Sequence, residues 1–362
     1  MDIKKDVSEH VDCMLENWSR SKISEKKVIT DAVLGAMTFE PYEMHVIDCP
    51  IVQRIRRIHQ LGPAFLLYPA ANHTRFDHSL GVCTLADRIW RSLNDKHGDS
   101  IIPTTALMEL RMAAILHDVG HGPFSHVSEE VMKSRFPEIR DLIQKEDGKF
   151  WGCKPHEVMS HFIVTSKPFT DFMSDIRTLC GGLELNLNRV ADIIIGRVDE
   201  QEQHQWKADI INGRFDADKL DYMLRDAYFT GIKIQVDIER VLLTLDQDTR
   251  SIKKIVGQLK GVHTLEQILF NKMFLFSALY HHHKLRSAEC LVKLLYEHAF
   301  DSGEGIAGYK LKTPIDFLRL TDYDVLAGAH NSNDVNEIAN RIKNRNLFYR
   351  ALTISNHSVI DE

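Results

Sequence analysis

The segment TTALMELRMAAILHDVGHGPFSH (residues 104–126) constrains the fold of this chain most, because a helical pattern runs directly into a histidine-rich turn. Leu110, Ala114 and His117 are spaced four and three residues apart and share one helix face. His117 should therefore point inward. Asp118 follows at the carboxyl end of the helix, where the helix dipole disfavours an unpaired carboxylate. This arrangement is typical of a metal site, although a core histidine that donates to a backbone carbonyl would produce the same dipeptide.

Helical periodicity extends over most of the sequence, which predicts a mainly α fold with a few short strands. We expect small hairpins at 31–40 and 231–246, with 250–259 able to join the second. We predict one helix from Pro50 to Gly62 and another that begins at Pro155. Further helices are predicted over 73–93, 104–118, 215–229 and 265–298, and near 313–320 and 333–344.

Composition narrows the class of protein. The formal net charge is −6, whereas a nucleic-acid binder usually carries a broad basic surface, so a nucleic-acid partner is not indicated. The six cysteines form no CxxC pair, which indicates a reduced protein rather than a disulfide or zinc-ribbon framework. No run approaches the roughly 18 apolar residues of a membrane span, and the N-terminal residues lack a signal-peptide core. We therefore expect a cytoplasmic location.

Two distant residues extend the His117–Asp118 pair. His78 lies in RFDHSLGV at the start of a predicted helix, and Asp218 lies in FDADKLDYMLRD. Two imidazoles and two carboxylates suit a divalent Fe, Mn, Zn or Mg ion and leave room for a water. Water bound to such an ion is a good nucleophile near neutral pH. The sequence therefore predicts one divalent metal ion.

The order of these motifs resembles the HD-domain metal-dependent phosphohydrolases, and within them the deoxynucleoside triphosphate triphosphohydrolases, including the enzyme with an added SAM domain. We expect no SAM domain ahead of the motifs in this chain. The resemblance implies an α-helical HD core with small β-hairpins, divided into an N-terminal segment (1–45), an HD phosphohydrolase domain (46–300) and a C-terminal helical extension (301–362). The motifs that carry it lie at 49–82, 116–126, 156–157, 216–226 and 279–284.

The resemblance also implies roles for single residues. The metal ligands correspond to His78, His117, Asp118 and Asp218. Catalytic roles fall on His121 and His126, which would face the phosphates, and on His156, which would act as general acid or base paired with Glu157. Substrate contacts correspond to Gln60, Leu61, Arg75, Lys219, Tyr222, Asp226, Lys272, Tyr280 and His282.

Tyr280 matches a tyrosine that stacks on the sugar and blocks a 2′-hydroxyl. Independent spacing agrees in part, since Asp218, Tyr222 and Asp226 step by four along one helix face. Tyr222 as a half-buried core aromatic and Lys219 as a solvated cation remain the alternative interpretation.

The activity that follows is hydrolysis of a deoxynucleoside triphosphate to a deoxynucleoside and tripolyphosphate, with a second Mg²⁺ able to accompany the triphosphate. HD sites also cleave monophosphates, ribonucleotides and phosphodiesters, and fold does not fix substrate. These substrates, and a non-catalytic nucleotide-sensing module, are the alternatives.

Regulation is predicted from weaker matches. Asp48, Gln53 and Arg56 correspond to residues that contact an activating guanine nucleotide, although Asp48 as a helix cap and Arg56 as a surface cation explain them equally well. The family's D-P-[IV]-H-G element becomes DAVLG (31–35) here, without the proline and histidine. Family habit favours a homo-oligomer, a dimer or larger.

The remaining histidines have ordinary interpretations. We expect no site role for His45, His59, His73, His161 and His204. His281 and His283 are expected to be partly exposed helix residues.

Overall fold

The computed structural model describes residues 2–16, 18, 23–97, 104–182, 185–198, 205–248 and 254–349. Those residues are mainly helical, with two small antiparallel sheets, which confirms the predicted fold class. The helices are α1 (Ile3–Leu15), α2 (Pro41–Ile47), α3 (Pro50–Arg54), α4 (Arg75–His97), α5 (Thr104–Leu116), α6 (His126–Arg135), α7 (Pro137–Gln144), α8 (Pro155–Thr165), α9 (Lys167–Leu179), α10 (Leu187–Ile194), α11 (Gln205–Asn212), α12 (Ala217–Thr230), α13 (Ile238–Thr244), α14 (Val262–Leu275), α15 (His283–Asp301), α16 (Asp322–Ala327) and α17 (Asn333–Lys343). Strands β1 (Lys27–Asp31) and β2 (Gly35–Phe39) pair, as do β3 (Leu245–Gln247) and β4 (Ile255–Gly257).

Helix α4 lies at the centre and packs against α5 and α12. Gly81 of α4 permits the approach to α12, because a Cβ at this position would lie 1.9 Å from Asp221 Oδ1. The close packing brings His78, one turn before Gly81, to the carboxylates of α12.

Two hydrophobic clusters hold the helices together. The larger one joins α1 and β2 to α4, α5, α8, α9, α10 and α12. The second gathers α6, α15 and α17 around Phe124 and Phe317. The division into segments 1–45, 46–300 and 301–362 stays a prediction.

Several element boundaries differ from those predicted. The helix from Pro50 ends at Arg54 and continues as a single 3₁₀ turn, Ile55–Arg57. The predicted helix over 265–298 is interrupted, since a π-helical turn (Phe276–Tyr280) follows α14 and His282 caps α15.

The second hairpin is displaced from its predicted place. Asp237 caps α13, and Ile238, Val241 and Leu242 are buried at helical spacing. The alternating apolar pattern of 231–246 therefore does not form a strand here, because burial of one face of α13 stabilises a helix. Strand β3 pairs instead with β4, which lies within 250–259, and residues 250–253 lie outside the described residues. Within the described ranges, no helix has the length and apolar content needed to cross a bilayer.

Candidate active site

Side chains that are far apart in sequence meet where four helices converge. Arg75 and His78 belong to the first turn of α4, and His117 and Asp118 directly follow α5. His156 lies on α8, and Asp218 lies on α12.

His78 is buried between two carboxylates. Its Nδ1 donates to Asp221 Oδ2 at 2.8 Å, and its Nε2 donates to Asp218 Oδ1 at 2.9 Å. Burial alone would lower the pKa of His78, but hydrogen bonds to Asp218 and Asp221 raise it to about 10. The surroundings therefore stabilise a positive charge beside Nε2, which is what a cation at this place would supply.

His117 presents a free ring nitrogen to the same place. Its Nδ1 donates to the Ala114 carbonyl oxygen at 2.8 Å, so Nε2 carries the lone pair. That Nε2 atom is buried and has no hydrogen-bond partner among the described residues. Burial lowers the pKa of His117, which keeps the ring neutral as a metal ligand must be.

Asp118 connects the two halves of the site. Its Oδ2 accepts from Arg75 Nη1 at 2.8 Å, and its Oδ1 lies 3.3 Å from His121 Nε2 and 3.9 Å from His156 Nε2. Burial would raise the pKa of Asp118, but the nearby Arg75 and His117 hold it well below its usual range. The carboxylate is therefore ionised at neutral pH.

Two donor groups could each hold a metal ion, with ligand atoms within 4.8 Å of one another in each group. The first consists of His78, His117 and Asp218, and the second of Asp118, His121 and His156. The unpartnered Nε2 of His117 and the mixed nitrogen and oxygen donors fit a divalent transition metal. Asp118 Oδ2 lies 3.9 Å from His78 Nε2, so the four predicted ligands converge.

His156 is oriented by Glu129. Its Nδ1 hydrogen-bonds Glu129 Oε1, which leaves Nε2 facing Asp118. Glu129 Oε2 accepts from His126 Nδ1 at 2.7 Å. Burial alone would raise the pKa of Glu129, but His156 and His126 hold it well below its usual range. One buried carboxylate thus positions both histidines.

Glu157 does not pair with His156. Its Oε2 accepts from the Lys154 backbone N–H at 2.8 Å in a capping box at the start of α8, and its side chain lines the cavity. Sequence reasoning missed Glu129, whose one available signal was its position three residues after His126 on the same helix.

The turn between α5 and α6 is shaped by close packing rather than by flexible glycines. A Cβ at Gly120 would lie 2.2 Å from the His156 carbonyl oxygen, so only glycine fits against α8. The left-handed positions are Phe124 (φ 57°) and Ser125 (φ 53°). Ser125 Oγ accepts from Arg75 Nε at 2.9 Å, which holds this strained turn against α4.

A cavity of about 390 Å³ is lined by His117, Asp118, His156 and Asp218 of the two donor groups, whereas the buried His78 and His121 are not part of its lining. Its lining includes the cations Arg75, Lys154, Lys219 and Lys272. Of the predicted contacts, His282 does not line it, because its ring caps α15 by accepting from the Lys284 N–H at 3.3 Å. The predicted substrate residues that do line the cavity are Gln60, Leu61, Arg75, Lys219, Tyr222, Asp226, Lys272 and Tyr280.

His73 contacts the site, contrary to its ordinary interpretation. Its Nε2 donates to Asp226 Oδ1 at 2.8 Å, and Tyr280 Oη donates to Asp226 Oδ2 at 2.6 Å. Asp226 is thereby fixed from both sides. His281, which we expected to be a partly exposed helix residue, also lines the cavity.

The predicted regulatory residues lie together but do not line this cavity. Gln53 Nε2 donates to the Ile47 carbonyl oxygen at 2.7 Å, and Arg56 Nε donates to Gln53 Oε1 at 2.7 Å. Burial raises the pKa of Asp48, and Arg56 opposes that rise. An activator site formed by the three stays a prediction.

Three of the histidines for which we expect no site role pack within the fold instead. His59 Nδ1 donates to Asp322 Oδ2 at 2.7 Å, and His45 is buried. His161 packs edge-on against Phe150. His204 lies outside the described residues.

Known proteins match this chain over nearly its full length. The HD domain family matches residues 75–171, and the HD associated region matches residues 236–362. The deoxynucleoside triphosphate triphosphohydrolase SAMHD1 of Bos taurus is 30% identical over 355 residues, which are 89% of this chain and 58% of the relative. The Homo sapiens protein of that name is 27% identical over 374 residues, which are 96% of this chain and 56% of the relative. The uncharacterized protein MJ1154 of Methanocaldococcus jannaschii is 29% identical over 337 residues, covering 91% and 60%.

The chain thus spans 56–60% of the length of these three relatives. The HD domain match contains His78, His117, Asp118, His121 and His156, and Asp218 lies between the two matched segments. The chain belongs to the HD-domain superfamily of metal-dependent phosphohydrolases, in the branch that includes SAMHD1.

Proposed function

We propose that this chain hydrolyses deoxynucleoside triphosphates at the α-phosphorus and releases a deoxynucleoside and tripolyphosphate. The observation that carries the proposal is a single cavity in which histidines and aspartates of the two donor groups line the same space as the cations Arg75, Lys154, Lys219 and Lys272. Such an array can hold a metal and a polyanion side by side. The SAMHD1 relatives, which are named as triphosphohydrolases, add support.

The chain's own residues would bind and orient the triphosphate. A divalent cation held by His78, His117, Asp118 and Asp218 supplies Lewis-acid stabilisation of phosphate oxygens and lowers the pKa of a water. Arg75 Nη2 is buried without a hydrogen-bond partner among the described residues, so it is free to donate to a phosphate oxygen.

His126 and His156 would handle the protons. His156 is buried and oriented by Glu129, which suits it to accept a proton at Nε2, beside the donor group formed by His78, His117 and Asp218. His126 lines the cavity with its Nδ1–H held by Glu129, so its protonated ring would present an N–H at Nε2 that can give a proton to the departing 5′ oxygen. Tyr280, held by Asp226, would pack on the deoxyribose and leave no room for a 2′-hydroxyl.

The test is product analysis with every dNTP, NTP and dNMP and a phosphodiester panel, each with Mn²⁺, Fe²⁺, Mg²⁺ and Zn²⁺. We expect a deoxynucleoside and tripolyphosphate from dNTPs. Release of monophosphate and pyrophosphate, or cleavage of another substrate class alone, would overturn the proposal in favour of a different HD-type hydrolase. No turnover with any metal would favour a nucleotide-sensing module. The variant His117→Ala/Asp118→Ala should lose metal and activity while its helical circular dichroism persists.

We also propose that the chain forms a homo-oligomer through α14. Leu269, Phe270, Met273 and Phe274 are each 50–68% exposed on this helix. A helix that is apolar around its circumference is normally buried, and large exposed apolar patches mark interfaces. Two antiparallel copies of α14 would bury these four side chains against one another across a two-fold axis.

Sedimentation velocity tests the α14 interface. Phe270→Ser should shift the protein to a smaller species, whereas Tyr323→Ser, an isolated aromatic that is 70% exposed, should not. A wild-type monomer at all concentrations, or an unchanged assembly in Phe270→Ser, would contradict a second copy on this face. A cytoplasmic location stays a prediction from the sequence.

A further inference from the structure

A charged pair on α15 lines the cavity and has no part in the proposed mechanism. Arg286 Nη1 donates to Glu289 Oε2 at 2.6 Å. Among the described residues, Arg286 Nε and Nη2 and Glu289 Oε1 make no hydrogen bond with another side chain. The pair therefore presents unused N–H donors next to an unused carboxylate oxygen.

The pair lies where a nucleobase would reach. The donor groups fix the triphosphate end of the cavity, and Tyr280 with Asp226 fixes the sugar. Beyond Tyr280 along the chain, α15 presents Leu285 to the cavity and then, one turn later, Glu289. Leu61 also lines the cavity and supplies a second apolar surface for a base. The base edge would then meet the charged pair.

A ligand that supplies N–H groups would stabilise the ionised Glu289 carboxylate. Its side chain is 21% exposed, and burial raises its pKa to about 7, with Arg286 opposing the rise and Glu130 adding to it. Because burial has removed water from this carboxyl group, N–H donors from a ligand would replace hydration that it lacks.

We propose that Arg286 and Glu289 recognise the nucleobase edge and select guanine. The inference rests on the proposed function and names its preferred substrate. Guanine offers two neighbouring N–H groups, N1–H and N2–H, to one carboxylate, and offers O6 and N7 as acceptors to a guanidinium group. The Watson–Crick edges of adenine, cytosine and thymine each lack the pair of neighbouring N–H groups.

The test compares kcat/KM for dGTP, dATP, dCTP and dTTP in the wild type, Glu289→Gln and Glu297→Gln. Glu297 lies two turns further along α15 and does not line the cavity, so its variant is the matched control. We expect the wild type to favour dGTP by about 10-fold or more. Glu289→Gln, whose amide N–H₂ opposes the guanine N–H groups, should remove that preference and leave the rates with the other three within about threefold.

A wild type without a base preference, a preference for another base, or a Glu289→Gln variant that slows all four substrates alike would overturn the inference. Calorimetric binding of dGTP and dATP in Ca²⁺ separates it from the proposed function. If no dNTP is hydrolysed but dGTP binds about 10-fold more tightly than dATP and Glu289→Gln abolishes the difference, base recognition stands and the hydrolase proposal fails. Equal binding of both nucleotides in the wild type would overturn base recognition alone.

Discussion

The two walls of the cavity are built on different principles. The metal wall consists of the donor residues from α4, the end of α5, α8 and α12, namely His78, His117, Asp118, His156 and Asp218. All of them except Asp218 are buried, and all except His78 line the cavity. The α15 wall follows the π-helical turn and contains Leu285, Arg286 and Glu289. The Asp118 side chain is 2% exposed, whereas the Arg286 side chain is 53% exposed. The first wall is suited to chemistry, and the second is suited to recognition.

The carboxyl groups on the two sides of the cavity also differ in the direction of their pKa shifts. Cations and histidines around Asp118 and Glu129 hold the pKa of each well below its usual range. Burial raises the pKa of Glu289 instead. Ionised carboxylates therefore stabilise the folded metal wall at neutral pH, whereas ionised Glu289 costs stability until a ligand supplies donors.

Asp118→Asn should produce the largest effect, because Asp118 contacts Arg75, His121 and His156 and lies near His78. Loss of its charge should lower metal content and reduce hydrolysis about 1,000-fold or more. Plasma mass spectrometry and steady-state kinetics measure the two. Asp141→Asn on α7, an exposed site, is the control. Wild-type metal content and rate in Asp118→Asn would contradict the role of the metal wall.

Glu129→Gln should reduce kcat by about 10- to 100-fold, since the amide cannot orient both His126 and His156 as the carboxylate does. The neighbouring Glu130→Gln, whose side chain is 54% exposed, should stay within about twofold. Stopped-time product assays on both variants decide the matter. Equal losses in the two would mean that Glu129 acts through α6 stability alone.

Glu289→Gln should have the smallest effect of the three variants. Unlike the other two, which lose activity, it should gain stability. For an acid whose pKa rises from 4.5 to about 7 on folding, stability is lost as pH rises through this range. The variant should therefore be more stable than the wild type at pH 8 by about 1–2 kcal/mol, and the gain should shrink at pH 5. Urea denaturation at both pH values measures it. A destabilised variant at pH 8 would erase the contrast between the walls.

Sequence reasoning located the metal wall better than its supports. The His117 helix face and the spacing of Asp218, Tyr222 and Asp226 are local patterns, so the sequence displays them. Glu129, Asp221 and His73 act through contacts between distant helices, and a carboxylate or histidine on a helix is usually a solvated or core residue. The family resemblance pairs Glu157 with His156, but the Glu157 side chain instead caps the start of α8. The break before α15 depends on a π-helical turn that helical periodicity does not reveal.

The central claim is that water attacks the α-phosphorus of a dNTP and that the 5′ oxygen departs, which forms a deoxynucleoside and tripolyphosphate. Hydrolysis in ¹⁸O-labelled water, followed by mass spectrometry of both products, tests it directly. We expect one ¹⁸O atom in tripolyphosphate and an unlabelled deoxynucleoside. Label in the deoxynucleoside, or in a released monophosphate with pyrophosphate as the second product, would contradict it.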